Sequence, residues 1–354
     1  MLLIWLQNTV VIKMNKRVEL PLIEPLYSTY HYQGPGTAII GNNQSVRNWY
    51  LNQVMNIICS KKFLKGYTTP EITIADSSWY VNPYLDKHWI SSEFTNDYIN
   101  SIIHQMINNG FYVAFGDVDD FYLKGKSWYK ERHFSHDGLI CGYDPNDKTY
   151  CIYAYDSNWI YQKFWVPQID FYAGRIAMRE NGTFSRFCGL KVKGDQIEFS
   201  PKIACQKIKG YLDSDIKKHP FDKEGNAYGW VVHEYIAEYV TKLYSGDIPY
   251  ERMDKRVFRL IWEHKKVMFE RIQSIERELM FGSDVSEKYR SLVTDADMMR
   301  MLYASHHIKR RDSVLPIIKK KLLNLADKEK ELLTFLVDKA EKELENETLE
   351  LSKK

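Results

Sequence analysis

The chain has 354 residues, which is long enough to bury a full hydrophobic core and predicts two or three domains. Its net charge of +3 is nearly balanced, which argues against a global attraction to nucleic acid or to an anionic membrane. Aromatic residues make up 14% of the chain, and Tyr and Trp often line pockets that keep one polar edge. Aromatic packing between strands and helices accounts for them at least as well.

The cysteines and the N-terminal residues bear on the cellular compartment. The cysteines form no CxxC pair and no zinc spacing; they are Cys59, Cys141, Cys151, Cys188 and Cys205. The apolar run at residues 1–6 is short and is interrupted by Gln7 and Asn8, so it predicts neither a secretion signal nor a membrane span. Residues 1–17 are interpreted as an N-terminal extension, with Met14 as an alternative start. We therefore expect reduced thiols and a cytoplasmic protein.

The first half of the chain predicts two helices and a buried strand. N-cap candidates at 42–45 precede apolar residues at helical spacing, which predicts a helix over about 44–60 with Cys59 at its far end. Asn96 to Asn108 predicts a second helix, and Phe111 to Phe115 a buried strand. Three carboxylates follow that strand directly: Asp117, Asp119 and Asp120. They bear ligands suited to a divalent cation, but no matching ligands lie at a recognised spacing, so no metal site is expected.

Residues 132–159 predict a β-hairpin that carries a candidate catalytic pair. An apolar run through Leu139 and Cys141 leads to a turn at 144–147, and an aromatic return strand runs from 150 to 155. His136 lies at the mouth of the first strand and Asp156 at the end of the second, so both should emerge at the same end. A histidine base and the carboxylate that orients it are often placed in this way, although a lone histidine at a strand start is more often structural.

The second half of the chain predicts a strand, a strand pair and then helices. The strand is expected at 161–166 and the pair near 187–199; the helices are expected at 227–244, 252–281, 285–309 and 313–346. The predicted division is an α+β domain at 18–200, a linker at 201–225, a helical domain at 226–346 and a tail at 347–354.

Candidate nucleophiles and binding residues are less well defined. A thiol nucleophile is favoured at a helix N-terminus, where the helix dipole stabilises the thiolate. Ser45 is the hydroxyl at the start of the first predicted helix, although a serine there is more often an N-cap; Cys59 is the alternative. His31 and Gln33, in a loop rich in Gly and Pro, could line the same cleft, and Gln33 could donate to an oxyanion. Trp159, which follows Asp156, is predicted to contact substrate.

The hairpin carries a resemblance to a known family. A helix, then His136-Asp137 opening a strand that reaches Gly142-Tyr143-Asp144, then Tyr155-Asp156, resembles the N-terminal domain of the butirosin-biosynthesis protein H family over roughly residues 20–200. That family looks like a relative of papain-like and bacteriocin-processing cysteine peptidases. The motifs Asp254-Lys255-Arg256 and Trp262-Glu263-His264-Lys265 look like proteins found beside nonribosomal peptide synthetase genes. The family's helix-start cysteine does not carry over, because residues 42–46 read Asn-Asn-Gln-Ser-Val.

The resemblance implies a function. It implies acyl transfer, amide formation or hydrolysis on a thioester- or amide-linked peptide intermediate of natural-product biosynthesis. His136 would be the base, Asp156 its orienting partner, and an acyl or peptidyl carrier protein and an amine the partners. No cofactor, nucleic-acid partner or membrane partner is expected, and a homodimer is left open. The alternatives are a catalytically inactive protein that binds a peptide, carrier protein or antibiotic, and a scaffold that uses its charged helices.

Overall fold

The fold is described from a computed structural model of residues 16–39, 43–66, 69–194, 196–214, 225–282 and 284–351. Most of the predicted N-terminal extension lies outside these residues. Ten strands are present among them: β1 Val18–Glu19, β2 Ile57–Ser60, β3 Thr73–Ile74, β4 Leu85–Ile90, β5 Tyr112–Asp119, β6 Ser135–Asp144, β7 Thr149–Tyr155, β8 Tyr161–Pro167, β9 Arg186–Val192 and β10 Asn226–Tyr228. Nine α-helices are described: α1 Gly34–Ile39, α2 Gln44–Gln53, α3 Asn96–Asn108, α4 Gln168–Glu180, α5 Pro201–Leu212, α6 Val232–Ser245, α7 Val257–Glu278, α8 Asp284–Lys309 and α9 Leu315–Leu351.

The expected class, mixed α+β with antiparallel sheets and a C-terminal helical region, is confirmed. The chain forms two compact units. The first contains the described residues up to Ile23 together with Leu85–Lys193, and the second contains Glu24–Tyr84 and the described residues from Gly194 onwards. A papain-like α+β domain is predicted over 18–200; in the structure the second unit includes Glu24–Tyr84 together with the C-terminal helices.

The first unit is built on a seven-stranded sheet in the order β4-β9-β5-β6-β7-β8, with β1 paired to β6. Its pairs are antiparallel, and one face carries a core to which helices α3 and α4 contribute. Ile99, Ile103 and Ile107 recur at helical spacing along α3 and are buried in that core, as is Phe171 of α4. Strand β5 supplies Val113 to the same core. The two helices therefore hold the central strands whose ends form the candidate site.

The second unit combines the C-terminal helices with a small sheet of order β10-β2-β3. Helix α7 carries four buried charged residues, Glu263, Lys265, Arg271 and Glu276. Each is matched by partners, as buried charges require. The Glu263 carboxylate accepts from the backbone N–H groups of Ser28 and Thr29, both at 3.1 Å.

Several predicted elements differ from those observed. The helix predicted at 44–60 ends at Gln53, and Cys59 lies on strand β2, because the β-branched residues from Val54 onwards favour extended backbone. The segment 201–225, predicted as a linker, contains helix α5, which begins with Ser200 as its N-cap. One strand, β9, stands where a strand pair was predicted near 187–199. None of the helices in the described ranges is both long and apolar enough to cross a membrane.

Candidate functional site

The candidate site forms where strand β5 ends beside the start of strand β6. The two strands pair Val118 with His136 and Asp119 with Ser135, after an irregularity in register between Phe115 and Val118. Asp117 lies in this bulge with a φ of 61°, a left-handed conformation that is uncommon outside glycine. Bulges often re-aim side chains next to functional sites. Here the consecutive carboxylates Asp119 and Asp120 follow the bulge and lie beside the start of strand β6.

His136 forms its hydrogen bond with Asp120. Its Nδ1 lies within a short hydrogen bond of Asp120 Oδ2. The Asp120 side chain is 1% exposed, whereas the imidazole is 16% exposed. A buried carboxylate that accepts a hydrogen bond from Nδ1–H fixes the tautomer of the ring. Nε2 is then the nitrogen able to accept a proton. The arrangement is that of a general base with its orienting carboxylate.

Lys126 completes the buried part of this cluster. Its ammonium lies 3.6 Å from Asp120 Oδ1 and donates to the backbone carbonyl of Tyr155 at 3.1 Å. Burial lowers the pKa of Lys126, while the neighbouring charge of Asp120 opposes that shift. Asp120 Oδ1 finds no hydrogen-bond partner within the described ranges, so the ammonium is the positive charge that compensates this oxygen. His136, Asp120 and Lys126 are hereafter the His136 cluster.

The neighbouring carboxylates are held by other partners. Asp119 Oδ2 pairs with His133 Nδ1 at 2.6 Å, and its Oδ1 accepts from the backbone N–H groups of Phe121 and Phe134. Asp117 accepts from Arg186 Nε at 2.9 Å. The three carboxylates therefore face three different partners, and no group of three metal-ligating side chains occurs among the described residues.

Asp156, predicted to orient His136, instead holds its own turn. Its Oδ1 accepts from the backbone N–H groups of Asn158 and Ile160 at 2.8 and 2.9 Å, and its Oδ2 accepts from Gln162 Nε2 at 2.5 Å. Burial acts to raise the pKa of this carboxyl, but the hydrogen bonds outweigh burial and the pKa is lowered. The predicted pairing is corrected to His136 with Asp120. Asp156 does lie at the same end of the sheet, where its charge acts on Lys126.

Trp159 belongs to the turn that Asp156 caps. Its backbone N–H donates to the Asp156 carbonyl at 3.1 Å, and its φ is 60°. The indole is 55% exposed and contacts Trp128 edge to face at 6.5 Å. Its predicted role in binding substrate stays a prediction.

Neither candidate nucleophile stands in the predicted setting, and both belong to the second unit. Cys59 is fully buried on β2, and burial raises the pKa of its thiol to about 12, which disfavours a thiolate. Ser45 lies in the first turn of α2, where Asn43, not Ser45, is the N-cap and accepts from the Ser45 backbone N–H at 3.0 Å.

His31 and Gln33 also lie in the second unit. Gln33 is fully buried; its side chain donates to Ser77 Oγ at 2.7 Å and accepts from the backbone N–H of Tyr30 at 3.3 Å. Both ends of the amide are thus engaged within its own unit. His31 lies in the turn that precedes α1 and is half-buried. The expected oxyanion donor is therefore a structural residue of this turn.

The second unit contains another cluster of titratable groups, centred on Lys265 and Glu329, which are both fully buried. The Lys265 ammonium donates to both Glu329 oxygens, at 2.7 and 2.8 Å, and to His233 Nε2 at 3.0 Å. His233 Nδ1 donates to the Trp230 carbonyl, so its tautomer is neutral with Nε2 as acceptor. Burial, helped by the adjacent ammonium, lowers the pKa of His233 to about 4. This cluster is fully enclosed, which favours a structural role.

The sequence reasoning found His136 but missed Asp120 and Lys126. The signal that could have identified Asp120 is its position directly after a buried strand that pairs antiparallel with the strand of His136. Lys126 gave no signal, because a lysine in the polar run from Leu123 to Arg132 is usually exposed.

Comparison with protein-family models finds no match to this chain, and comparison with curated proteins finds no significant relative.

Proposed function

We propose that this chain catalyses acyl transfer from a thioester to an amine, with His136 as the general base and Asp120 as the carboxylate that orients it. The proposal includes a carrier protein as acyl donor and a place in peptide natural-product biosynthesis, both of which follow from the family resemblance. A papain-like relationship belongs to the same proposal, supported by the histidine on an antiparallel strand. The observation that carries the proposal is the hydrogen bond between the partly exposed His136 and the buried Asp120.

The chemistry requires no enzyme nucleophile. The amine nitrogen attacks the thioester carbonyl carbon, and His136 Nε2 takes the proton that the nitrogen loses as the C–N bond forms. The C–S bond then breaks, and the imidazolium returns its proton to the departing thiolate. One amide and one thiol are formed from one thioester and one amine. Asp120 stabilises the imidazolium during this cycle, as a buried carboxylate does for the histidine of a catalytic triad.

The first test is turnover of an acyl thioester with an amine by the wild type and by His136→Ala. We expect the variant to lose roughly 10²- to 10⁴-fold in kcat, the range that general acid–base catalysis contributes. His133→Ala is the matched control, because His133 is also paired with an aspartate, Asp119, but is much more exposed than His136. Equal rates for the wild type and His136→Ala would refute the role of His136.

The second test asks whether an acyl-enzyme forms. Intact-protein mass spectrometry after incubation with the thioester alone should detect no adduct if the amine attacks directly. An acyl group on Cys59 or Ser45 would overturn the direct route.

A second candidate function is binding of a peptide, carrier protein or antibiotic without catalysis. The observation that favours it is the exposure of two large rings near the His136 cluster, Phe134 at 39% and Trp159 at 55%. This function predicts ligand binding with no turnover by the wild type.

A further inference from the structure

Two cationic side chains near the His136 cluster, Arg132 and Lys130, contact aromatic rings. The guanidinium carbon of Arg132 lies 5.5 Å from the ring centroid of Trp128 and 5.7 Å from that of Phe134. Arg132 is exposed, and these ring contacts restrict where its guanidinium can lie. A guanidinium has five N–H donors, so contact with aromatic rings leaves donors available for hydrogen bonding to an oxyanion.

Lys130 extends the same basic surface. Its ammonium lies 5.2, 5.5 and 5.6 Å from the ring centroids of Phe121, Tyr122 and Tyr129. Glu131 stands between Lys130 and Arg132 in sequence and is exposed. Among the described residues, no carboxylate forms an ion pair with Lys130 or Arg132. Two positive charges thus lie on one exposed segment, and no ion pair with either is seen in the part of the chain that the structure describes.

Arg132 is connected to the imidazole through one ring. Phe134 packs edge to face on His136 with the ring centroids 4.6 Å apart. Since one side of a triangle cannot exceed the sum of the other two, distances of 5.7 and 4.6 Å place the guanidinium carbon within about 10 Å of the imidazole centroid. One small substrate could therefore place an anion against Arg132 while its other end reacts at His136.

We propose that Arg132 binds an oxyanion, a carboxylate or a phosphate, that one of the two substrates carries near its reacting end. This inference rests on the proposed function, because it places the anion relative to His136. The planar fork of N–H donors matches either oxyanion, and the charge of Lys130 strengthens the local positive field. A neutral substrate of the same shape would leave the guanidinium without its partner.

Three pairs of substrates, each matched in shape and differing in charge, test the proposal and identify the source of the anion. The carboxylate acceptor pair is γ-aminobutyrate and its amide, the phosphate acceptor pair is aminoethyl phosphate and its neutral dimethyl ester, and the donor pair is succinyl and succinamyl thioester. We expect the wild type to prefer the charged member of at least one pair. Arg132→Gln should reduce kcat/KM for that member by roughly 10- to 100-fold, the loss expected when a hydrogen-bonded charge is removed.

Two variants serve as controls. Lys124→Gln removes an exposed cation of the same segment, one with no ring contact among the residues described, and it should leave the preference unchanged. Arg132→Lys keeps the charge without the fork and should retain part of the preference. If His136→Ala abolishes turnover but no pair shows a charge preference that depends on Arg132, the oxyanion site is wrong and the proposed function stands.

A binding measurement covers the case in which no pair is turned over. Calorimetric titration with succinate and with inorganic phosphate should show weaker binding of at least one of them to Arg132→Gln than to the wild type. Binding lost in Arg132→Gln would support the oxyanion site even if catalysis fails. Equal binding, or none to either protein, would overturn it.

Discussion

Asp120 and Asp156 lie at the same end of the hairpin as His136, yet their substitutions should have different effects. In Asp120→Asn the side chain can no longer stabilise the imidazolium as a carboxylate does, so we expect kcat to fall roughly 10²- to 10⁴-fold. Asp156→Asn weakens the hydrogen bonds of one turn and should cost about 1–2 kcal/mol of unfolding free energy with kcat nearly unchanged. Kinetics and denaturant unfolding of both variants measure the difference. A larger loss of kcat in Asp156→Asn would restore Asp156 as the orienting carboxylate.

Lys126 provides a way to separate catalysis from folding. Asp120→Asn also leaves the buried ammonium of Lys126 without its counter-ion, and removing one partner of a buried ion pair costs about 3–5 kcal/mol. The double variant Asp120→Asn/Lys126→Met should recover much of that stability without recovering turnover. Recovery of both in urea unfolding and in the thioester assay would mean that Asp120 acts on stability alone.

The histidine of the site could be predicted from the sequence, whereas its partner could not. His136 stands at the mouth of a hairpin whose turn and aromatic strand are strong local signals. The partner of His136 depends on which carboxylate oxygens already accept hydrogen bonds from nearby backbone. Asp156 Oδ1 accepts from two N–H groups of the turn that follows it. Local hydrogen bonds of this kind compete with the distant contact and leave no periodic pattern.

Helix α4 approaches strand β5 closely enough that one glycine is required. A Cβ added at Gly174 would lie 2.8 Å from the Asp119 carbonyl oxygen and 3.1 Å from Val118 Cγ1. We expect Gly174→Ala to destabilise the first unit by about 1–3 kcal/mol and to reduce turnover, because it displaces the end of the strand that leads to Asp120. Thermal unfolding and the thioester assay measure the two effects.

A second helical glycine is the control for Gly174. A Cβ at Gly210 of helix α5 would meet nothing within 4 Å, so Gly210→Ala should stabilise by about 0.4–1 kcal/mol through the unfolded chain. If both substitutions stabilise the protein, the close approach at Gly174 does not constrain the strand.

The elements were predictable where one strong pattern covers the whole segment. Helix α3 is predicted and observed at Asn96–Asn108, because apolar residues keep helical spacing up to Asn109-Gly110. The helix predicted from residue 44 ends before Val54. The apolar residues continue beyond that point, but they belong to strand β2, which begins at Ile57. Arg271 contributes to this ending, since its guanidinium donates to the carbonyls of Leu51 and Val54 at 2.6 and 2.7 Å. A contact from a residue more than 200 positions away cannot be predicted from the local pattern of apolar residues.

At the scale of the second unit, the ion pair of Lys265 and Glu329 joins helices α7 and α9. Breaking it from one side, by Lys265→Met or Glu329→Gln, should cost about 3–5 kcal/mol because the other charge stays buried. Lys265→Met/Glu329→Leu should cost less than the sum of the single changes. A double-mutant cycle in urea measures the coupling, and additive losses would show that the pair contributes no specific interaction.

The same cluster predicts how stability depends on pH. The folded-state pKa of His233 is lowered to about 4. As pH falls below about 6.5, this histidine becomes protonated in the unfolded chain while it stays neutral in the folded chain. Stability should therefore fall between pH 6.5 and 4, at up to about 1.4 kcal/mol per pH unit for this histidine. Burial opposes a lowered pKa for Glu329, but Lys265 and the histidines outweigh it and bring the pKa to about 2. The stabilisation from this carboxylate is present above about pH 4.5 and is lost as pH falls towards 2.

His233→Gln separates the histidine from the carboxylate. Its side-chain oxygen can still accept from Lys265, but it does not titrate, so the slope of unfolding free energy between pH 6.5 and 5 should become shallower. The slope should not vanish, because burial also lowers the pKa of the neighbouring His264 well below its usual value. Urea unfolding at closely spaced pH values measures both slopes. An unchanged slope in His233→Gln would mean that His233 takes up its proton in the folded state as readily as in the unfolded chain.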